Sequence, residues 1–383
     1  MSGAYWNECR FLESSENLKP LVKSRFGREP STSVAREISA CLQQGRLFYE
    51  AAAGSPLEIR PLQMFYGMVG FSKALILANH LRSFSAGRQA HGLKDISRGN
   101  SRIANLRVQI TNAGTFQDFN DVISDLTRVC YIDKSTKRRA IFVPSAKSDK
   151  LRGVELSFRE ILSRVPIVQD LYRMTFREEA RTEFITFDDD FRAPGLFTVR
   201  IDDAEIFTDR ESLRGIVCRW RKRFPFLTAW TLTTADHGWG NSIIIFRNER
   251  NSGTAEFSEE RLLSQDGTFV LSEQRIPSEL FPPEEALTSV ASSYPGGGNH
   301  TISPIGDACL SEYSIHYLAL FLLSSLVRYR PQTWMHAISR SVLPGVPADD
   351  QVISLIERFL ELNSDAVPAM IVGILNPPRD DYA

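Results

Sequence analysis

The sequence predicts an α+β protein with a mainly helical core built from both chain ends and a β-rich antiparallel middle region. Three observations predict it. Apolar residues recur at helical spacing near both termini. Between residues 179 and 276, runs of β-branched and aromatic residues alternate with short turn-forming pieces. The chain of 383 residues is 43% hydrophobic and 24% charged, close to globular averages, so a sizeable buried core is expected.

The first periodic segment runs from Ser33 to Ala53, where Ile38, Leu42, Gly45, Tyr49 and Ala52 fall on one helical face. Ser31 or Ser33 can cap its start, and Gly54-Ser55-Pro56 ends it. A second helix begins at Pro61, a residue suited to the first turn because its missing N–H has no intrahelical role there. It continues to about Leu81 through Met64, Phe65, Met68, Phe71, Ala74, Leu75 and Leu77. Gly67 and Gly70 each cost about 1 kcal/mol inside a helix, which a closely packed second helix would justify.

Beyond Gly92 the pattern weakens. Residues 103–111 and 139–143 read as short strands, residues 119–126 as a helical turn, and 154–164 and 165–177 as helices broken near Pro166. Strands are expected at 182–187, 195–201, 226–234, 241–248 and 267–274, in an antiparallel sheet because the connections are too short for crossover helices. A Pro/Gly/Ser-rich linker then leads to an apolar helix at 308–328, followed by helices at 332–341 and 351–362. The expected parts are therefore helical 1–95, mixed 96–178, β-rich 179–276, linker 277–304, and helical 305–383 packing on the first.

Composition removes several function classes. A net charge of −1 is incompatible with a histone-like binder but permits a local basic groove. The 36 Arg against nine Lys suit planar, bidentate contact with phosphate or carboxylate, a skew that a genome rich in G and C also produces. Five scattered cysteines without a CxxC suggest single thiols and neither zinc nor thioredoxin chemistry. The N-terminus lacks the apolar core of a signal peptide. Residues 62–81 are too polar, and 313–327 too short, to span a bilayer. A cytoplasmic protein without membrane contact is expected. Gly296-Gly-Gly298 lacks the Gly-Lys-Ser/Thr ending of a phosphate loop, and neither GxGxxG nor GxSxG occurs in the right context. Asp188-Asp-Asp190 reads as a solvated turn, since adjacent carboxylates cannot all face one ion. Neither a metal nor another cofactor is expected.

Two basic groups remain. Arg219-Trp220-Arg221-Lys222-Arg223 interleaves an aromatic with cations, the pattern of a groove that follows a phosphate backbone while Trp220 stacks on a base; a solvated basic face is the alternative. Arg88 and His91 close the second helix, where the helix dipole favours them, and they could also join Arg330 and His336 in one cleft.

Short strings at both ends carry a resemblance. They are Trp6 with Phe11, Gln44-Gly45, Pro61-Leu62, Tyr66-Gly67, Lys73-Ala-Leu-Ile-Leu77, His91-Gly-Leu93, Arg328-Tyr-Arg-Pro331 and Trp334. In this order the chain resembles the YaaC-like family of bacterial proteins over roughly residues 1–95 and 300–340. The resemblance implies a shared helical core assembled from both ends of the chain. The function expected first is a non-enzymatic interaction module whose helical core and basic middle bind RNA or another nucleic acid, or a protein partner, including a second copy of the chain.

The alternative is a metal-independent ribonuclease effector of HEPN-like type, in a toxin or anti-phage setting. Such domains carry an Arg, four to six residues, then a His; Arg330 and His336 are separated by five. There, His336 would move the proton of the 2′-hydroxyl or leaving oxygen while Arg330 stabilised the phosphorane. Pro331 makes it difficult for Arg330 to lie within a continuous helix.

Overall fold

The structure is a computed structural model that describes residues 4–83, 90–99, 101–125, 129–131, 139–141, 146–166, 168–189, 197–202, 213–223, 227–228, 231–238, 241–247, 290–291, 299–306, 308, 310–339 and 350–376. Both ends are helical, and antiparallel strands occupy the middle. The N-terminal part holds α1 (Ala4–Leu12), α2 (Ser15–Phe26), α3 (Thr32–Ala53) and α4 (Arg60–His80).

The Ser31 hydroxyl caps α3 by accepting from Val34 N–H at 3.3 Å, and Pro61 stands in the first turn of α4. The two helices cross where their side chains vanish. A Cβ built on Gly70 would lie 2.9 Å from the Gly45 nitrogen, and one on Gly67 would lie 2.5 Å from the Tyr49 ring. Close backbone approach therefore explains why glycine is tolerated inside α4.

The connecting region contains β1 (Leu93–Asp95), β2 (Arg107–Ile110), α5 (Thr115–Asp125), β3 (Val129–Tyr131), β4 (Arg139–Ile141), α6 (Ser148–Leu151), β5 (Glu155–Ser157), α7 (Phe158–Leu162) and α8 (Gln169–Phe176). β1, β2 and β5 form a three-stranded antiparallel sheet, with Asp95 opposite Val108. The helix expected from Val154 thus starts later. Residues 155–157 pair with β2, and a Ser157–Glu160 capping box opens α7.

The middle comprises β6 (Thr182–Asp189), β7 (Phe197–Asp202), α9 (Leu213–Arg223), β8 (Thr231–Gly238), β9 (Asn241–Arg247), β10 (Val290–Ala291) and β11 (Asn299–Ile302). The six strands follow the order β10-β11-β6-β7-β9-β8, all antiparallel. The segment read as a linker therefore contributes β10 and β11 to the sheet, because β11 finds its partner in β6. Buried Arg164 ties the chain after β11 to α7, donating to the carbonyls of Ser303 at 2.9 Å, Pro304 at 3.0 Å and Glu160 at 3.0 Å. Burial, and then neighbouring Arg181, lowers its titration to about 10. The strand expected at 267–274 lies outside the described residues.

The chain ends with α10 (Glu312–Tyr329), α11 (Pro331–Ser339) and α12 (Ile353–Leu375). Phe65 of α4 meets Tyr317 and Phe321 of α10 edge-on, with centroids 5.8 and 5.9 Å apart. Leu42, Phe65, Phe71, Leu75, Leu318, Phe321 and Leu322 all belong to the buried core, so both chain ends build it together. α12 runs past the expected end at Leu362 and includes Pro368. Asn363 and Pro368 look like helix-ending residues, but buried partners on other helices hold the segment in the core. Among the described residues, no helix is long and apolar enough to cross a membrane, and no group of metal-ligating side chains assembles.

Candidate nucleic-acid interface

The site lies where α10 leaves the core beside β1. α10 is capped by Ser311, whose hydroxyl accepts from Ser314 N–H at 3.1 Å, and its first fifteen residues are buried. Pro331 cannot continue the helix's hydrogen-bond ladder, so Arg330 becomes the hinge residue between α10 and α11. Its backbone N–H still reaches Leu326 O at 3.0 Å.

On the opposite wall, a tight approach of two backbones places His91. Gly92 adopts φ +79°, and a Cβ there would overlap the Gln117 side chain, whose Nε2 donates to the Gly92 carbonyl at 2.7 Å. The carbonyls of Ala90 and His91 accept from the N–H groups of Thr115 and Phe116, capping the start of α5. The imidazole stands edge-on to Phe65 at 5.1 Å and to Phe321 at 6.3 Å. Burial, then the charges of Arg328 and Lys73, lowers its titration.

Asp95 fastens the two walls together. Arg330 donates through Nη1 to Asp95 Oδ2 at 2.5 Å, and through Nη2 to Oδ1 at 3.4 Å and to the Ser97 carbonyl at 3.1 Å. Ser325 Oγ donates to Asp95 Oδ2 at 2.5 Å, and Ser97 N–H to Oδ1 at 2.9 Å. Burial opposes ionisation of this carboxyl, but the hydrogen bonds from Arg330, Ser325 and Ser97 outweigh it and hold the group below its usual range.

Between these walls opens a cleft of about 520 Å³, lined by His91, Leu93, Lys94, Asp95, Phe321, Ser325, Arg328, Tyr329 and Arg330. Three cations face one carboxylate. Arg330 matches that carboxylate, leaving Lys94 and Arg328 without an acidic partner among the described residues. Arg328 turns back onto the Ser324 carbonyl at 3.2 Å and lies 4.9 Å from the centroid of Tyr329, whose side chain is 69% exposed. Cationic side chains beside an accessible aromatic ring can take a phosphate and a base together.

Arg330 and His91 thus share one cleft. His336 does not line it: the residue lies on α11 and is 7% exposed. Its neighbour Trp334 is fixed by donation from Nε1 to the Glu58 carbonyl at 3.0 Å. Arg88 lies outside the described residues.

The Arg219–Arg223 cluster occupies α9. Ile216, Val217 and Trp220 form its inward face, and Trp220 is 4% exposed, so its ring is not presented to solvent. Arg219 is partly buried. Arg221 donates to the Leu227 carbonyl at 3.2 Å and sits 5.7 Å from the Phe246 ring centroid, while Lys222 is exposed. The side chain of Arg223 lies outside the described set.

Lys94, Asp95, Arg328 and Tyr329 were not singled out as site residues from sequence. The available signal was position: the first two follow His91-Gly-Leu93, and the others stand in Arg328-Tyr-Arg-Pro331.

The chain belongs to the YaaC-like protein family, whose model matches residues 10–375. The match spans α4, β1 and α10, the elements that frame the cleft. No curated protein and no solved structure matches the chain significantly.

Proposed function

We propose that this YaaC-like protein is an interaction module that binds single-stranded nucleic acid, RNA foremost, through the cleft between β1 and the end of α10. The observation that carries the reading is Arg328: it has no carboxylate partner among the described residues and stands beside the exposed Tyr329 ring at an open basic cleft. A phosphate would meet Arg328 and Lys94, while a base would stack on Tyr329. Asp95 acts within the protein, orienting Arg330 and joining the walls.

The test is titration of a fluorescent single-stranded RNA at several salt concentrations. Arg328→Ala and Lys94→Ala should each weaken binding and reduce the salt slope by about one. Tyr329→Ala should weaken binding by about 1–3 kcal/mol with the slope unchanged. Binding that is insensitive to salt and to all three substitutions would remove the cleft from consideration. The same measurement on Arg221→Ala and Lys222→Ala separates this site from the α9 cluster.

A further inference from the structure

Resting on the nucleic-acid reading, we infer that the cleft takes the terminal phosphate monoester of a strand, with His91 binding it in protonated form. The inner wall is the reason. His91 packs edge-on against Phe65 and Phe321, and the backbone of Gly92 packs onto Gly114, so the imidazole is held in the lining of the cleft. A terminal phosphate can turn its unsubstituted oxygens toward such a wall, whereas an internal phosphodiester continues into the strand on both sides.

Charge favours the same ligand. An internal phosphodiester carries one negative charge, whereas a terminal monoester carries between one and a half and two near neutral pH, about −1.5 to −2. Arg328 from α10 and Lys94 from β1 are the cations left after Arg330 is matched by Asp95. Lys73 of α4 adds its field behind His91. From α5, the wall receives Phe116 and backbone donors, with Asp118 in the first turn.

The His91 ring has no hydrogen-bond or ion-pair partner among the described residues. Burial, and then Arg328 and Lys73, favour its neutral form. A near-dianion between His91 and Arg328 supplies the missing counter-charge and raises the imidazole's proton affinity. Binding then draws in one proton. Affinity must therefore rise as pH falls through the window between the lowered value of the free protein and the raised value in the complex. The phosphate's own second ionisation, near pH ~6, limits the useful range to higher pH.

The experiment is calorimetry on the full chain between pH 6.5 and 8.5. Ligands are one RNA hexamer with a 5′-hydroxyl, a 5′-phosphate or a 3′-phosphate end, together with adenosine 5′-monophosphate. A phosphorylated end should bind about tenfold more tightly than the hydroxyl end, the gain expected of one charge-assisted hydrogen bond. Its affinity should fall by up to about one log unit per pH unit. His91→Gln should flatten that pH slope, and Arg328→Gln should remove the end preference; melting curves establish that both variants are folded. Equal affinity for phosphorylated and hydroxyl ends, with salt-sensitive binding retained, overturns the monoester and leaves the nucleic-acid interface standing. Binding of the mononucleotide alone, with a His91-dependent slope, keeps the monoester site and overturns the nucleic-acid reading. A slope that survives in folded His91→Gln overturns the role of His91, and absence of binding by every ligand overturns both.

Discussion

The Tyr49 hydroxyl on α3 donates to Asn363 Oδ1 on α12 at 2.6 Å, joining two fully buried residues 314 positions apart. The other end of the same amide meets His316 Nδ1 of α10 at 2.9 Å, and His316 Nε2 lies 3.6 Å from Glu312 Oε1. Three helices are thereby keyed by polar contacts inside an apolar core. Tyr49→Phe should cost about 1–3 kcal/mol, because the Asn363 oxygen loses its donor without access to water. Asn363→Leu should cost more, since it removes a partner from both Tyr49 and His316. Urea unfolding of the two single variants and the double variant checks this. A double variant as unstable as the sum of the singles would show that the bond contributes nothing.

Gly70→Ala should destabilise the protein by about 1–3 kcal/mol, the usual range for overpacking a core. Helix propensity favours Ala by about 1 kcal/mol, so the sign depends on the neighbour. Here the neighbour is backbone, namely Gly45 N at 2.9 Å and Cα at 3.0 Å, which no rotamer change can move. Gly99→Ala, where a Cβ meets nothing within 4 Å, is the control. Thermal unfolding of both variants provides the measurement, and a stabilised Gly70→Ala would disprove the close crossing.

Arg330→Ala should cost about 2–3 kcal/mol by leaving the Asp95 carboxylate with hydrogen-bond donors but no cation. Arg330→Lys should restore only part of that, because an ammonium cannot hold Asp95 in a bidentate fork. Asp95 also makes the loss depend on pH. Its carboxyl titrates below its ordinary value in the folded protein, so its contribution is present above the unfolded value of about 3.9 and fades as pH falls through the lower folded value. Stability of wild type and Arg330→Ala should therefore converge in acid. A constant gap from pH 7 to pH 2.5 would count against the pair.

Labelled RNA should remain intact in the presence of EDTA. The guanidinium of Arg330 is engaged by Asp95 and the Ser97 carbonyl, and His336 is buried on α11. Gel electrophoresis of the incubated RNA is the readout. Cleavage that disappears in both His336→Ala and Arg330→Ala, at unchanged melting temperature, would replace the binding reading with the ribonuclease one. A general acid or base contributes about 10²–10⁴ in rate, well within reach of the assay.

Periodicity alone was sufficient to locate α3, α4 and α10, since each carries an apolar pattern long enough to require burial. Their mutual packing followed because none of the three can bury its surface alone. Turn chemistry likewise revealed an antiparallel middle. Two of the resemblance strings, His91-Gly-Leu93 and Arg328-Tyr-Arg-Pro331, supply residues that line the same cleft. Only the tertiary structure decided what those strings do together. Asp95 is an ordinary acidic residue in the sequence; it becomes the partner of Arg330 because β1 runs beside the end of α10, 235 positions away. Asn363 looks like a helix breaker until Tyr49 and His316 supply the partners that let it lie in the core. Trp220 shows the same limit in reverse, since its basic neighbours suggested an exposed ring while helical spacing with Ile216 and Val217 turned it inward. Local pattern determines which segments must be buried, but hydrogen-bond and charge partners are set by contacts between segments distant in the chain.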